Sequence, residues 1–397
     1  MRKMLKKRIL VIAPQYNFFV KDQVDELSKS VENINILIKY NPLTEISKYI
    51  PHKHANYFKK YTKKKLINNI NKPSNLKVHL IPTVYFKTDG NNEKLGDMLF
   101  KKFDKYIQKN NLKFDLIHAH FTYPYGHAAS KLGIKYNVPI VVTAHGYDIY
   151  DLPFRDPYWK STISQTLNSA SQIITVGKKN TESIDKLGIK TPVSVIPNGY
   201  NPKKFYPRNS EECRKLLDLP KKSKILLSVG NLEPVKGHAH LIKSISKVLE
   251  KRKDILCVIV GDGKLKNELQ KQIDTLNLNN NVKLVGAKPH EEIPIWMNAA
   301  DLFVLPSLNE GNPTVLVEAL STGLPFIGTN VGGIPEIINS DEYGLLCEPK
   351  NPENLAENIL IALEKDWDNE KIINYSKEFT WENISKEILN AYKKVLK

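Results

Sequence analysis

Two glutamates eight positions apart, Glu310 and Glu318, are the residues whose types and spacing could do chemistry in this chain. Asp301 to Pro306 is a short apolar run that predicts a buried strand. Pro313 to Thr322 predicts a helix, with Asn312 able to cap it, Pro313 suited to its first position, and Gly323 and Pro325 ending it. Val315, Leu316, Ala319 and Leu320 would share the face that packs on the sheet, leaving Glu318 to its side. A group lying over the helix N-terminus could then touch Glu310, the unbonded amides of Thr314 and Val315, and Glu318 together. Amides at a helix N-terminus suit phosphate, and carboxylate oxygens accept from sugar hydroxyls. A loop or helix glutamate alone is ordinarily just solvated; the pair on one strand-loop-helix unit suits a sugar-nucleotide.

Two further groups stand at predicted strand ends. Ser228-Val-Gly-Asn231-Leu-Glu-Pro-Val-Lys236-Gly237 is a strand followed by a glycine-containing loop, where Lys236 can set a point charge against a diphosphate. Thr143-Ala-His145-Gly-Tyr-Asp148 leaves another strand, and Asp148 could fix the tautomer of His145 through its second ring nitrogen. His118 and His120 have metal-like spacing, but no acid or cysteine completes a set, so they read as packing and lining residues.

The run Glu310-Gly-Asn-Pro-Thr-Val-Leu-Val-Glu318-Ala, continued by Gly323-Leu-Pro325 and Gly332-Gly-Ile-Pro-Glu-Ile337, resembles the E-x7-E motif of retaining glycosyltransferases of family 4. The resemblance covers most of the C-terminal half. It implies an α/β protein of GT-B fold, in which two Rossmann-like domains face each other across a cleft. It implies a nucleotide-diphosphate sugar as donor, with no metal and no other cofactor. Glu318 would hold the ribose and Glu310 the donor sugar. Lys236, with the Gly311, Asn312, Thr314 and Val315 stretch, would hold the diphosphate. His145 would contact donor sugar and phosphate, and the loop Gly286-Ala287-Lys288 would lie beside the base. Val260-Gly-Asp-Gly263 fits the family's V-G-D-G turn. The chain departs from the pattern at Asn231, where the family carries an arginine, and Lys288 is a candidate to supply that charge. The first loop, Pro14 to Phe19, lacks the glycine pair of many relatives.

The elements that position these residues alternate between strand and helix, the rhythm of a parallel sheet. Strands are expected at 8–13, 34–39, 78–82, 115–120, 139–143, 172–176 and 193–197, then at 225–229, 255–260, 282–285, 302–305 and 326–328. The expected domains are 1–199 on the acceptor side and 223–379 for the donor nucleotide. A connection over 200–222 joins them, and a tail helix over 380–397 returns to the first. With 397 residues, 41% of them hydrophobic and 25% charged, the chain can bury two ordinary cores.

The formal net charge is +17, which attracts anions. It fits a nucleic-acid binder as an alternative, but no recognition signature appears, so no nucleic-acid partner is expected. A nucleotide-sugar epimerase on the same fold is the other alternative. Lys59, Lys60, Lys63, Lys64 and Lys65, beside Tyr57, Phe58, Tyr61 and Leu66, form a candidate contact with an anionic membrane. The N-terminal apolar run is too short for a signal peptide, and the expected location is the cytoplasm, with peripheral membrane contact. The expected acceptor is a glycan or a lipid-linked glycan.

Overall fold

The computed structural model describes residues 5–46, 61–87 and 89–396. The chain forms two compact units, one of Met1–Pro197 with Trp381–Lys397, the other of Asn198–Thr380. In the first unit, β1 (Leu5–Ile12), β2 (Val31–Tyr40), β3 (Leu76–Pro82), β4 (Leu116–His120), β5 (Ile140–Ala144), β6 (Gln172–Thr175) and β7 (Val193–Val195) form one sheet. Its order is β3-β2-β1-β4-β5-β6-β7, and its pairs are parallel. The central strands are apolar on both faces, because helices cover both sides of a parallel sheet. The helices Leu95–Lys109, His127–Tyr136 and Pro157–Asn168 supply the core of one face. Phe18–Ser28 and the tail helix Trp381–Val395 supply the other, the tail burying Trp381, Ile384, Ile388 and Tyr392.

The second unit repeats the plan. Its strands β8 (Lys224–Val229), β9 (Ile255–Val260), β10 (Val282–Gly286), β11 (Leu302–Leu305), β12 (Phe326–Thr329) and β13 (Gly344–Cys347) lie in the parallel order β10-β9-β8-β11-β12-β13. In both sheets the strand order reverses beside the unit's first strand. Such reversals open a crevice at the carboxyl ends of the strands. Here it lies between the loops that follow β8 and β11.

Residues 200–222 differ from the expected connection. They belong to the second unit and put Tyr200, Phe205, Cys213 and Leu219 into its core, with a helix over Ser210–Leu216. Three prolines hid this, because apolar side chains anchored one at a time leave no periodic pattern. The structure also adds β13, too short and glycine-started to show alternation, and the helix Pro352–Glu364. Among the described residues no helix is long and apolar enough to cross a membrane.

Candidate active site

The loops after β8 and β11 are tied to each other before any ligand arrives. Leu308 N–H donates to the Val235 carbonyl at 2.7 Å. Gly237 sits at φ +66°, and a Cβ there would fall 1.9 Å from the Pro306 carbonyl oxygen, so only glycine allows this approach. Lys236 consequently reaches Glu310: its ammonium lies 2.6 Å from Oε1, which also accepts from the Ser307 hydroxyl at 2.7 Å. Glu310 is further pinned by the loop after β12. Gly332, at φ +56°, would put a Cβ 1.8 Å from the Glu310 carbonyl oxygen, and Gly333 N–H donates to that oxygen at 3.3 Å. The sequence placed Lys236 and Glu310 in one site; the structure makes them direct partners, with Ser307 as a third member that no motif marked.

The helix after this loop runs Thr314–Ser321, with Pro313 in extended conformation before it. Asn312 does not cap it. Its Oδ1 accepts from Asn198 N–H at 2.9 Å, and its carbonyl accepts from the Asn198 side chain at 3.1 Å. Pro313 takes the boundary position, which leaves Asn312 one residue too far out to reach the helix amides. The first amides, of Thr314 and Val315, have no acceptor within the helix, as at any helix start. Val317 is buried as fully as Leu316 and Leu320, so the helix is covered nearly all round rather than on one face.

Glu318 is only 7% exposed. Its Oε1 accepts from His290 Nε2 at 3.0 Å, and the His290 ring lies against Phe205 with centroids 5.2 Å apart. His290 was missed because it follows β10 in a loop of ordinary composition, 28 positions before its partner. The remaining donor candidates are more dispersed. Asn231 is exposed, and its carbonyl accepts from Glu233 N–H at 2.8 Å. Gly286 O accepts from Gly261 N–H at 3.0 Å, Ala287 is exposed, and the Lys288 ammonium lies 5.6 Å from the Trp296 ring centre. Asn231 follows β8 and Lys288 follows β10, with β9 between them in the sheet.

In the first unit His118 and His120 of β4, both buried, and the half-buried His145 that follows β5 form one ladder. His118 is hydrogen-bonded through Nδ1 to the Tyr392 hydroxyl and through Nε2 to the Thr143 hydroxyl, both at 2.7 Å. His120 stacks on His118, and its Nδ1 lies 3.0 Å from His145 Nε2. Burial pushes all three imidazoles down, His120 to about 4. They are therefore neutral at pH 7. The Asp148 carboxylate accepts from the backbone N–H groups of Thr122, His145 and Gly146 at 2.7 to 3.0 Å. It shapes the loop that carries the histidine, whose ring meets those of His120 and Phe121.

Each unit is thus a Rossmann-like α/β sheet, and the second carries a lysine, two glutamates and a helix start around one switch point. Two family models match the chain: glycosyl transferases group 1 over residues 209–379, and glycosyltransferase family 4 over residues 68–204. The chain is 35% identical over 258 residues to TuaC of Bacillus subtilis (strain 168), a glycosyltransferase named for teichuronic acid biosynthesis; the match covers 64% of this chain and 63% of that protein. It is 30% identical over 292 residues to the Escherichia coli UDP-Gal:alpha-D-GlcNAc-diphosphoundecaprenol alpha-1,3-galactosyltransferase, covering 70% of this chain and 72% of that one. Sucrose-phosphate synthase from Thermosynechococcus elongatus shares the fold, with a TM-score of 0.75 at 21% identity over 98% of this chain and 99% of that one. The fold is GT-B. The chain belongs to glycosyltransferase family 4, among the group 1 glycosyltransferases.

Proposed function

We propose that the protein is a retaining hexosyltransferase, moving a sugar from a nucleotide-diphosphate donor of the UDP-sugar or GDP-mannose type to a glycan or lipid-linked acceptor. It would serve cell-surface polysaccharide or glycoconjugate synthesis at the cytoplasmic face of the membrane. The observation that carries this reading is the Lys236–Glu310–Ser307 group beside the Glu318–His290 pair, at the switch point of the second sheet. Glu318, its Oε1 held by His290, presents its other oxygen to the ribose hydroxyls. Lys236 and the Thr314 and Val315 amides meet the diphosphate, whose negative charge grows as the sugar leaves. Preorganised donors of this kind take the part a divalent cation plays in other transferases. Glu310 orients the sugar hydroxyls once Lys236 turns to phosphate. His145 contributes to the same reaction, and the departing phosphate takes the acceptor's proton on the same face of the sugar. The name of the Escherichia coli relative supports a sugar-nucleotide donor and a lipid-linked acceptor, and that of TuaC a role in polysaccharide synthesis.

The test is a thermal-shift screen across UDP-, GDP- and ADP-sugars. A ligand at a hundredfold excess over its dissociation constant stabilises the folded state by about 2.7 kcal/mol. One nucleotide series should raise Tm clearly, and NMR of the product formed with that donor should show the donor's anomeric configuration retained. If no nucleotide sugar shifts Tm, the reading fails; an inverted product overturns its retaining part.

A further inference from the structure

The second unit holds a cavity of about 440 Å³ at the end of its sheet away from Lys236 and Glu310. Lys224 opens β8, Leu302 opens β11 and Pro325 precedes β12, and all three line it. Its lining thus comes from the amino ends of strands, whereas the donor groups follow their carboxyl ends. The volume lies in the range of small-molecule sites. We propose that this cavity binds a small organic anion with an apolar body, as an effector of the donor site. The effect on the donor site rests on the function proposed above; the binding of the anion does not.

Charge is the first reason. Arg208, Lys224 and Lys365 line the cavity against one acid, Asp301. Asp301 is already neutralised: it accepts from the Arg214 guanidinium at 2.6 Å and from Ile225 N–H at 2.7 Å. Lys365 is paired with Asp341 at 3.2 Å. Among the described residues no carboxylate pairs with Arg208. Its Nη2 donates to the Lys204 carbonyl at 3.2 Å, and its guanidinium lies 4.6 Å from the Tyr206 ring centre. Its Nε is buried and finds no acceptor among the described residues. A buried donor on a cation is costly without an acceptor, and a carboxylate or phosphate oxygen supplies one. Shape is the second reason. Met297, Leu324, Leu363 and Ile373 give the cavity an apolar lining. Trp367 stands among them with its indole N–H already donated to the Ala362 carbonyl at 2.8 Å, which leaves its ring to apolar contact. A bare inorganic anion would leave this surface wet, so the fitting ligand carries an apolar body.

The cavity is tied to the donor site twice. Arg208 N–H donates to Asn298 Oδ1 at 2.6 Å, and the Asn298 amide donates to the Tyr206 carbonyl at 3.1 Å. These bonds hold the segment whose Phe205 packs on His290, the partner of Glu318. Thr322 and Gly323, which follow the helix that carries Glu318, also line the cavity. A ligand on Arg208 therefore bears on the pair assigned to the ribose, and the coupling is reciprocal.

Saturation-transfer NMR on the full chain tests this, with UDP in excess to fill the donor site, phenyl phosphate and benzoate as anionic probes and benzyl alcohol as the neutral one. The anions should receive saturation at their ring protons, more than benzyl alcohol does. Arg208→Gln should weaken their binding at least about tenfold, the factor for a hydrogen bond to a charged group. Lys224→Gln should weaken it about twofold to fivefold, as for an exposed ion pair. The Lys224 side chain is 41% exposed, so its loss leaves the fold intact, and the Tm of each variant reports on folding. No saturation of either anion, an equal or stronger signal from benzyl alcohol, or wild-type binding in both variants overturns the proposal. Calorimetry reads the effector part. Phenyl phosphate should change the UDP dissociation constant at least about twofold in wild type but not in Arg208→Gln. A competitor at the donor site would act on both proteins alike; that outcome, or an unchanged UDP affinity, overturns the effector part. Anion binding weakened by Arg208→Gln, in a wild type that gives no response to UDP, supports the cavity's assignment and overturns the donor reading.

Discussion

At the residue scale, the pairing of Glu318 with His290 sets what each substitution does. Glu318→Gln keeps the shape and removes the charge that ribose hydroxyls meet. It should weaken nucleotide binding by about 1.5 to 3 kcal/mol, the range for hydrogen bonds to a charged group, measured by calorimetry. Unchanged affinity would remove Glu318 from the donor site. His290 acts through Glu318, so it is a positioning residue. His290→Ala should raise the donor KM about two- to tenfold with kcat little changed, because the carboxylate loses a bond that orients it but keeps its charge. His290→Gln restores a donor toward Oε1 and should recover most of that loss. Equal KM values for the two variants would show that the bond does not orient the carboxylate. Lys236→Met leaves Glu310, its side chain 9% exposed, without its cation. It should lower turnover by more than tenfold, because the charge is needed most as the diphosphate departs. A variant that bound and turned over donor as wild type does would refute that role.

At the element scale, β4 and the exit of β5 bring three histidines together, His118 and His120 fully buried and His145 partly so. Each is neutral in the folded chain, while the unfolded chain takes up protons as pH falls through the ordinary value of 6.5. Between 6.5 and the lowered folded values the unfolded state binds more protons, so stability falls with pH across that window. For His120, whose folded value is about 4, the loss between pH 6.5 and pH 5 is about 2 kcal/mol, at 1.36 kcal/mol per pH unit. Denaturant melts at pH 7 and pH 5 should show this loss in the wild type and a smaller one in His120→Asn. Equal losses in the two proteins would mean that His120 titrates normally. The same elements account for Asp148: three amides converge on one carboxylate, which bends the β5 exit loop and delivers His145 to the ladder.

At the scale of the whole molecule, the +17 charge and the lysine-rich segment bear on where the enzyme works. Residues 57–60 lie outside the described residues. Beyond them, Lys63–Leu66 forms one helical turn that buries Leu66, and the Lys63 ammonium lies 5.1 Å from the Tyr40 ring centre. Lys64 and Lys65 are exposed. A lysine near an anionic bilayer contributes about 1 kcal/mol, so several together give reversible, salt-sensitive attachment. The protein should sediment with acidic vesicles at low salt. Replacing Lys59, Lys60, Lys63, Lys64 and Lys65 with Gln should abolish this while nucleotide binding persists. A wild type that stays in the supernatant at low salt would make these lysines a solvated face.

Much of the arrangement follows from local pattern alone. Apolar runs with helical or strand spacing, and prolines and glycines at the turns, place β8 to β12 within a residue or two, and each is decided within a few positions of chain. The Glu310–Glu318 spacing is local in the same sense, and so both carboxylates could be assigned to one strand-loop-helix unit. The partners of those carboxylates are not local. Lys236 meets Glu310 across 74 positions because β8 and β11 are neighbours in the sheet. His290 meets Glu318 across 28 positions, and His120 meets His145 across 25. Asn312 was free to cap a helix until Asn198, 114 positions earlier, took its side chain. The sequence by itself determined which elements form and which chemistry they carry, because backbone propensity and hydrophobic period act over a few residues. Only the tertiary structure decided which groups touch, because the order of strands in a sheet is settled by the packing of the whole unit.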